Sequence, residues 1–193
     1  MVDDSNSGLR IEEAFDVVDR AQFMPDNVRH LADIDNAVPI GYDQTISQPY
    51  TVRLMLQWLD PQPGNKVLDI GSGSGWTTAL LSHLVGKKGK VYAVERIPEL
   101  VEFGRSNCER FGVKNAYFST AGEELGLPEE APFDRILVSA SADEFPEELM
   151  EQLIINGKLV IPVQNDILEI TKTAKKGSRD VRKHPGFVFV PLL

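Results

Sequence analysis

Val67-Leu68-Asp69-Ile70-Gly71-Ser72-Gly73-Ser74-Gly75 is the stretch from which the fold is read. An apolar run that breaks into alternating glycines is a buried strand entering a tight turn. There the backbone is stripped of side chains, so a ligand can approach its N–H groups. The apolar stretch Trp76 to Val85 reads as a helix whose N-terminus points at that ligand. Twenty positions after Gly75, Glu95 closes a second strand, Lys90-Val91-Tyr92-Ala93-Val94, where a carboxylate can accept both hydroxyls of a ribose. Strand, turn and acid together point to an adenosine-containing cofactor.

Spacing narrows the choice. A dinucleotide fingerprint needs a glycine at position 76, which is Trp76. A phosphate-binding P-loop is excluded, because no Gly-Lys-Ser/Thr follows the turn. An acid two residues before the first of three alternating glycines suits S-adenosylmethionine. Asp69 would receive its ammonium, and the loop N–H groups and helix N-terminus its carboxylate. The competing reading is a glycine-rich turn with no ligand. The strand, the Asp69 offset and Glu95 count jointly against it.

At 193 residues the chain can build one sizeable domain, or a core plus a small appendage. No run of eighteen apolar residues occurs, so no membrane partner is expected. Met1 to Gly8 is polar and acidic, unlike a secretory leader, and a cytoplasmic protein is the expectation. One cysteine, Cys108, and three scattered histidines (His30, His83, His184) supply no metal site. Net charge is −9. That lacks the electrostatic footprint of a nucleic-acid binder. Residues 1–60 hold eleven Asp/Glu against four Lys/Arg, whereas residues 164–193 hold three against six. The basic run Lys172 to Lys183 is read as a solvated hairpin loop rather than an anion-binding patch.

After a disordered start, Leu9 to Arg20 has helical spacing, with Ile11, Phe15 and Val18 on one face. A short helix is expected from Pro25 to Leu31, irregular chain over 36–47, and a helix from Pro49 to Leu59. Pro61-Gln62-Pro63-Gly64 then punctuates the chain. The division expected is residues 1–60 as a helical segment and active-site lid and 61–193 as the cofactor-binding core, one compact domain overall. In the core, strands are expected at 67–71, 90–94, 116–119, 134–139 and 158–163, with helices at 75–85, 98–111 and 146–153. This alternation implies right-handed crossovers and a mostly parallel α/β sheet with helices on both faces. Ile167 to Thr171 and Phe187 to Pro191 read as an antiparallel terminal hairpin, giving seven strands in a Rossmann-like sheet.

Ligands of open α/β sheets sit at the carboxyl ends of the strands. Candidates there are Gly71, Ser72, Gly73 and Gly75, then Glu95 and Arg96, then Ala121 to Glu124, and Ser139 to Asp143. Gln44 to Tyr50 is placed to fold over the same crevice. Enzymes that methylate amide or adenine nitrogens often carry Asn/Asp-Pro-Pro-Tyr/Phe after the fourth strand. This chain has Ser139-Ala140-Ser141-Ala142. No histidine falls at a strand's carboxyl end, and Cys108 lies mid-helix, so the site lacks a general base. A carboxylate acceptor, with a pKa of about 3.5 to 4, needs none. It needs to be held in line and screened from water. Thr45 and Ser47 are placed in sequence to donate the hydroxyls that hold it. The competing reading of Ser47, two residues before Pro49, is a helix N-cap.

These residues bring out a resemblance. Phe23-Met24-Pro25, Arg29-His30-Leu31-Ala32, Val38-Pro39-Ile40-Gly41 and Gln44-Thr45-Ile46-Ser47-Gln48-Pro49-Tyr50 closely resemble the N-terminal region of protein-L-isoaspartate (D-aspartate) O-methyltransferases. The likeness continues through the glycine turn, Glu95 to Leu100, Leu127 to Asp134 and Leu159 to Val163, and ends at Phe189-Val190-Pro191-Leu192. The turn marks only the class I methyltransferase superfamily, while Thr-Ile-Ser-x-Pro is far more specific. The resemblance implies methyl transfer from S-adenosylmethionine to the free α-carboxyl of isoaspartyl residues in damaged proteins, leaving S-adenosylhomocysteine. It puts the active-site serine on Ser47 and cofactor contacts on Thr45, Ser47, Asp69, the glycine turn and Glu95. Arg96, Gly122, Glu123 and Ser139 complete the expected cofactor set. The chain departs from the family pattern at Ala121-Gly122-Glu123, where Gly-Asp-Gly is usual. Asp143 stands where proline is common, and Gln164-Asn165-Asp166 is a shortened turn. Isoaspartyl peptides and proteins are the expected partners, and a monomer the expected state. Two other readings stay open: a methyltransferase of this fold acting on RNA or a small molecule, and a binding module that has lost activity.

Overall fold

The computed structural model describes residues 4–174 and 177–192. The glycine turn follows β3 (Lys66–Ile70), an interior strand of a seven-stranded sheet. Its neighbours are β4 (Lys90–Glu95) and β6 (Phe133–Val138), and outside them lie β5 (Ala116–Thr120) and β7 (Leu153–Val163). All of these pair in parallel. The hairpin β8 (Asp166–Lys172) and β9 (Arg179–Pro185) continues the sheet antiparallel from β7. Chain order reverses on either side of β3, which opens a crevice above its carboxyl end.

Side-chain alternation divides the core between the two faces of the sheet. Val67, Val91, Leu137 and Val160 point to one face. Leu68, Ile70, Ile136, Val138, Leu159 and Ile161 point to the other. The first face carries α2 (Pro49–Leu59), α3 (Trp76–Val85) and α4 (Pro98–Phe111), with α1 (Asp4–Val17) packed across α2 and α3. The second carries a single helical turn, α5 (Glu148–Glu151), whose Leu149 is fully buried. Pro49 and Pro98 each occupy the first turn of a helix, where a missing N–H is harmless.

Several expected elements differ. Helix α1 begins at Asp4, within the stretch read as disordered; residues 1–3 lie outside the described chain. The helix expected from Pro25 is a turn followed by a three-residue 3-10 segment, Arg29–Leu31. The segment 36–47 is a two-stranded hairpin, β1 (Val38–Gly41) and β2 (Gln44–Ile46), with Tyr42 and Asp43 both at positive φ in the turn. Helix 146–153 shrinks to α5, because Leu153 already pairs with Phe133 in the sheet. The last strand is not Phe187 to Pro191 but Arg179–Pro185, whose middle residues are exposed on the sheet's edge. The basic run is therefore strand at Lys172 and from Arg179 to Lys183; Lys175 and Lys176 lie outside the described residues. Charged side chains on an exposed edge oppose strand addition, and they hide the apolar alternation that marks a strand in sequence.

The third glycine of the turn serves packing. Gly75 has φ +82, and a Cβ there would lie 2.7 Å from the Gly104 carbonyl oxygen of α4. The start of α3 thus lies against the α4 backbone. Gly75→Ala is expected to destabilise the protein by about 2–4 kcal/mol, combining left-handed strain with overpacking. In urea denaturation, Gly122→Ala, with open space around the added Cβ, should stay within about 0.5 kcal/mol of the parent.

Candidate active site

Register sets the site. Ile70 is level with Val94 on one side and Val138 on the other, so Gly71, Glu95 and Ser139 leave the sheet side by side. Glu95 is level with Thr120, which brings Ala121 to the same edge. Above these ends lies a cleft of about 880 Å³, part of it open to solvent. Its floor is the turn from Gly71 to Thr77, and Gln44 to Ser47 form one wall. A second wall is Val190, Pro191 and Leu192. That segment is zipped to the sheet through Ser141, whose N–H donates to the Val190 carbonyl and whose carbonyl accepts from Leu192 N–H, both at 2.8 Å.

The turn is fixed by its own backbone, by the Glu95 carboxylate and by Asn107 of α4, whose Nδ2 donates to the Ser74 carbonyl at 2.9 Å. Gly71 and Ser72 N–H both donate to the Val94 carbonyl, at 2.9 and 3.2 Å. Glu95 accepts from Gly73 N–H through Oε2 and from Ile97 N–H through Oε1, both at 3.0 Å. The acid read as a ribose acceptor therefore also binds the two loops that flank it. Each oxygen retains acceptor capacity for a ligand hydroxyl.

Asp69 is completely buried beneath the turn. Its Oδ2 accepts from Thr78 Oγ1 at 2.6 Å, while Oδ1 has no partner among the described residues. Burial pushes its pKa up to about 7, against the lowering effect of the Thr78 bond, and the charge of Glu95 raises it further. Ser72 Oγ is likewise buried and unpartnered. An orphaned carboxylate oxygen and an orphaned hydroxyl beside the N-terminus of α3 suit a ligand with both an ammonium and a carboxylate. Cys108 is no nucleophile: it is buried, its thiol is pushed up to about 12 by desolvation, and it donates to the Gly75 carbonyl at 3.4 Å.

Thr45 and Ser47 both line the cleft. Ser47 does not cap α2. The capping position is Gln48, whose side chain makes no capping bond to the helix backbone, and Tyr50 N–H is met instead by Asp35 Oδ1 at 2.8 Å. Ser47 is thereby left facing the cavity. Among the lining residues only Glu95 and Arg96 are ionisable, and neither is a histidine, lysine or cysteine.

Of the residues singled out from the sequence, Thr45, Ser47, Gly71, Ser72, Gly73, Glu95, Arg96 and Ser139 line this cleft. Asp69 and Gly75 lie beneath its floor. Gly122 is absent from the lining, and Glu123 turns to a separate acidic hollow shared with Glu148 and Glu151. Ala121 and Leu125 line the cleft where an acid was sought. Sequence reasoning missed Trp76, Ile97 and the 190–192 wall. The last was hidden because Phe187 to Pro191 reads as a strand.

A family model described as protein-L-isoaspartate(D-aspartate) O-methyltransferase matches residues 4–193. The chain belongs to this family. It is 43% identical over 189 residues to the protein-L-isoaspartate O-methyltransferase of Pyrococcus horikoshii, covering 95% of this chain and 84% of that one. A solved protein-L-isoaspartate O-methyltransferase superposes with a TM-score of 0.85 at 27% identity, over 95% of this chain; the chain spans 61% of that protein's length. A beta-aspartate methyltransferase (PCMT) from Plasmodium falciparum, solved in complex with S-adenosyl-L-homocysteine, gives 0.80 at 30% identity, over 95% of this chain and 90% of that one.

In this protein-L-isoaspartate O-methyltransferase family member, Asp69 makes stability depend on pH. Its folded pKa of about 7 exceeds the reference value of 3.8. Below about pH 4 it is protonated in both states and has no effect. Between those values only the folded protein keeps the proton, so stability falls as pH rises. Above pH 7 the penalty is constant, of the order of 4 kcal/mol. Asp69→Asn should therefore raise the melting temperature of the ligand-free protein more at pH 8 than at pH 4.5. A difference that does not change with pH contradicts this.

Proposed function

We propose that this chain is a protein-repair carboxyl methyltransferase, moving a methyl group from S-adenosylmethionine to the α-carboxyl of L-isoaspartyl residues. The observation that carries the acceptor assignment is a cleft with Thr45 and Ser47 in its wall and, among the lining residues, no histidine, lysine or cysteine, the Glu95 carboxylate being engaged by the Gly73 and Ile97 N–H groups. When bound, S-adenosylmethionine supplies an electrophilic methyl group on a sulfonium, which a carboxylate takes without prior deprotonation. The chain's own residues supply placement. Glu95 accepts the ribose hydroxyls while it holds the turn. The N-terminus of α3 faces the cofactor's carboxylate, and buried Asp69 stabilises its ammonium from beneath the floor. Ile97, Ala121 and Leu125 offer apolar walls to the base. Thr45 and Ser47 donate to the acceptor carboxylate and fix its approach, and the 190–192 wall limits access of water. The ester product loses methanol as the neighbouring backbone nitrogen closes a succinimide, and water reopens that ring partly to normal aspartate.

Residues 1–60 act as helical segment and lid, and 61–193 as the cofactor-binding core, within one compact domain. In support, Ile40 Cδ1 of the β1–β2 hairpin lies 3.7 Å from where a Cβ on Gly73 would stand. No helix among the described residues is long and apolar enough to cross a membrane. The reading includes a cytoplasmic monomer that does not bind nucleic acid, the last supported by the net charge of −9.

Methyl incorporation from labelled S-adenosylmethionine is expected into an isoaspartyl peptide and not into its aspartyl twin. Ser47→Ala should lower the rate by about a hundredfold with the fold retained. Equal labelling of both peptides would falsify the acceptor assignment, and a normal rate in the variant would remove Ser47 from it.

A further inference from the structure

Arg20 was read from the sequence only as the end of an amphipathic helix. In the structure it lies beyond α1, in a 3-10 turn (Arg20–Phe23), and only 5% of its surface is exposed. Its guanidinium makes no ion pair among the described residues. It is spent on backbone carbonyls instead. Nη1 donates to Ala32 O and Ile34 O at 3.0 and 3.2 Å. Nη2 donates to Asn36 O at 2.8 Å, Ser47 O at 3.1 Å and Ile46 O at 3.4 Å. The group also lies over the ring of Trp76, 5.4 Å from its centroid, and Trp76 lines the cleft. From the outer side, Asp35 in the gripped loop holds Gln48 Nε2 at 3.2 Å and Tyr50 N–H at 2.8 Å.

We infer that Arg20 is a positioning residue for the methyl acceptor site: with Asp35 it forms a clasp that holds the Ser47 backbone, and so the Ser47 hydroxyl, at one place over the floor of the cleft. Burying an unpaired guanidinium is expensive. A core that needed only volume at this point would hold an apolar side chain. What a guanidinium adds is a planar fork of five donors able to span carbonyls from separate segments. Here it joins the 32–36 loop to the chain at 46–47 and sets both on the first residue of α3. Among the described residues Ser47 makes no side-chain bond of its own to fix it, and Asp35 has taken over the helix cap. Its placement therefore rests on its backbone, and Arg20 holds that backbone. The inference builds on the acceptor site proposed above.

Arg20→Lys tests it, since an ammonium with three donors cannot span the five carbonyls. Three measurements are made: kcat with an isoaspartyl peptide, the same in Ser47→Ala and in the double variant, and hydrogen exchange over residues 44–50. Arg20→Lys is expected to lower kcat by about ten- to a hundredfold. In the Ser47→Ala background it should have almost no further effect, because it acts through that residue. Exchange at 44–50 should quicken. Unchanged kcat, losses that multiply in the double variant, or unchanged exchange would each overturn the inference. If Arg20→Lys does not fold, Asp35→Ala, at an exposed position, carries the same three measurements with a smaller fall in kcat. A parent protein that labels no isoaspartyl peptide refutes the functional reading, and exchange at 44–50 still decides the clasp.

Discussion

Everything at the carboxyl edge of this sheet depends on the Glu95 carboxylate and its two backbone donors, Gly73 N–H and Ile97 N–H. A turn with φ of +78, +50 and +82 at its three glycines has little side-chain packing to hold it. The carboxylate ties that turn to the start of the loop before α4, so the floor and side of the cleft form one unit. The register of β3 with β4 brings Glu95 to this place, one residue past the level of Ile70. The approach of Gly75 to Gly104 then fixes the helix whose N-terminus faces the cleft. A cradle assembled before any ligand arrives needs less ordering when one binds.

On that rigid floor the chain mounts a wall from each of its ends. The hairpin at 38–46 comes from the N-terminal side and the 190–192 segment from the C-terminal side. Each is secured by polar bonds, Arg20 for the first and Ser141 for the second. Long-range closure of this kind suits a site whose task is orientation. The acceptor brings its own negative charge, so the protein contributes placement and exclusion of water rather than proton transfer.

Much of this was legible in the sequence because the relevant signals are local. Val67 to Gly75, Pro49 to Leu59 and Pro98 to Phe111 carry their own start or stop residues, and the structure places these elements within a residue of where they were read. The hidden parts depend on tertiary context. The β1–β2 hairpin is too short, and too interrupted by Pro39 and Gly41, to show a period. Strand β9 is polar because it forms an edge, while the apolar 187–191 stretch covers the core and, at Val190 and Pro191, lines the cleft, pairing only through an isolated bridge between Pro191 and Ser141. Ser47 looked like a cap because Pro49 follows it, but the cap is Asp35, twelve residues earlier in the chain. Arg20 gave no signal, since a cation at a helix end ordinarily faces water. Glu123 is the acid nearest to the place where the family pattern has its aspartate, yet it lines another hollow.

The most direct test of the central claim follows the fate of the acceptor. An isoaspartyl peptide incubated with the protein and S-adenosylmethionine is resolved over time by chromatography from its aspartyl isomer. The account predicts methanol release, a transient succinimide and a growing aspartyl peak, all absent when the cofactor is omitted. An isoaspartyl peptide that persists unchanged, with the protein shown to bind S-adenosylmethionine, would contradict it.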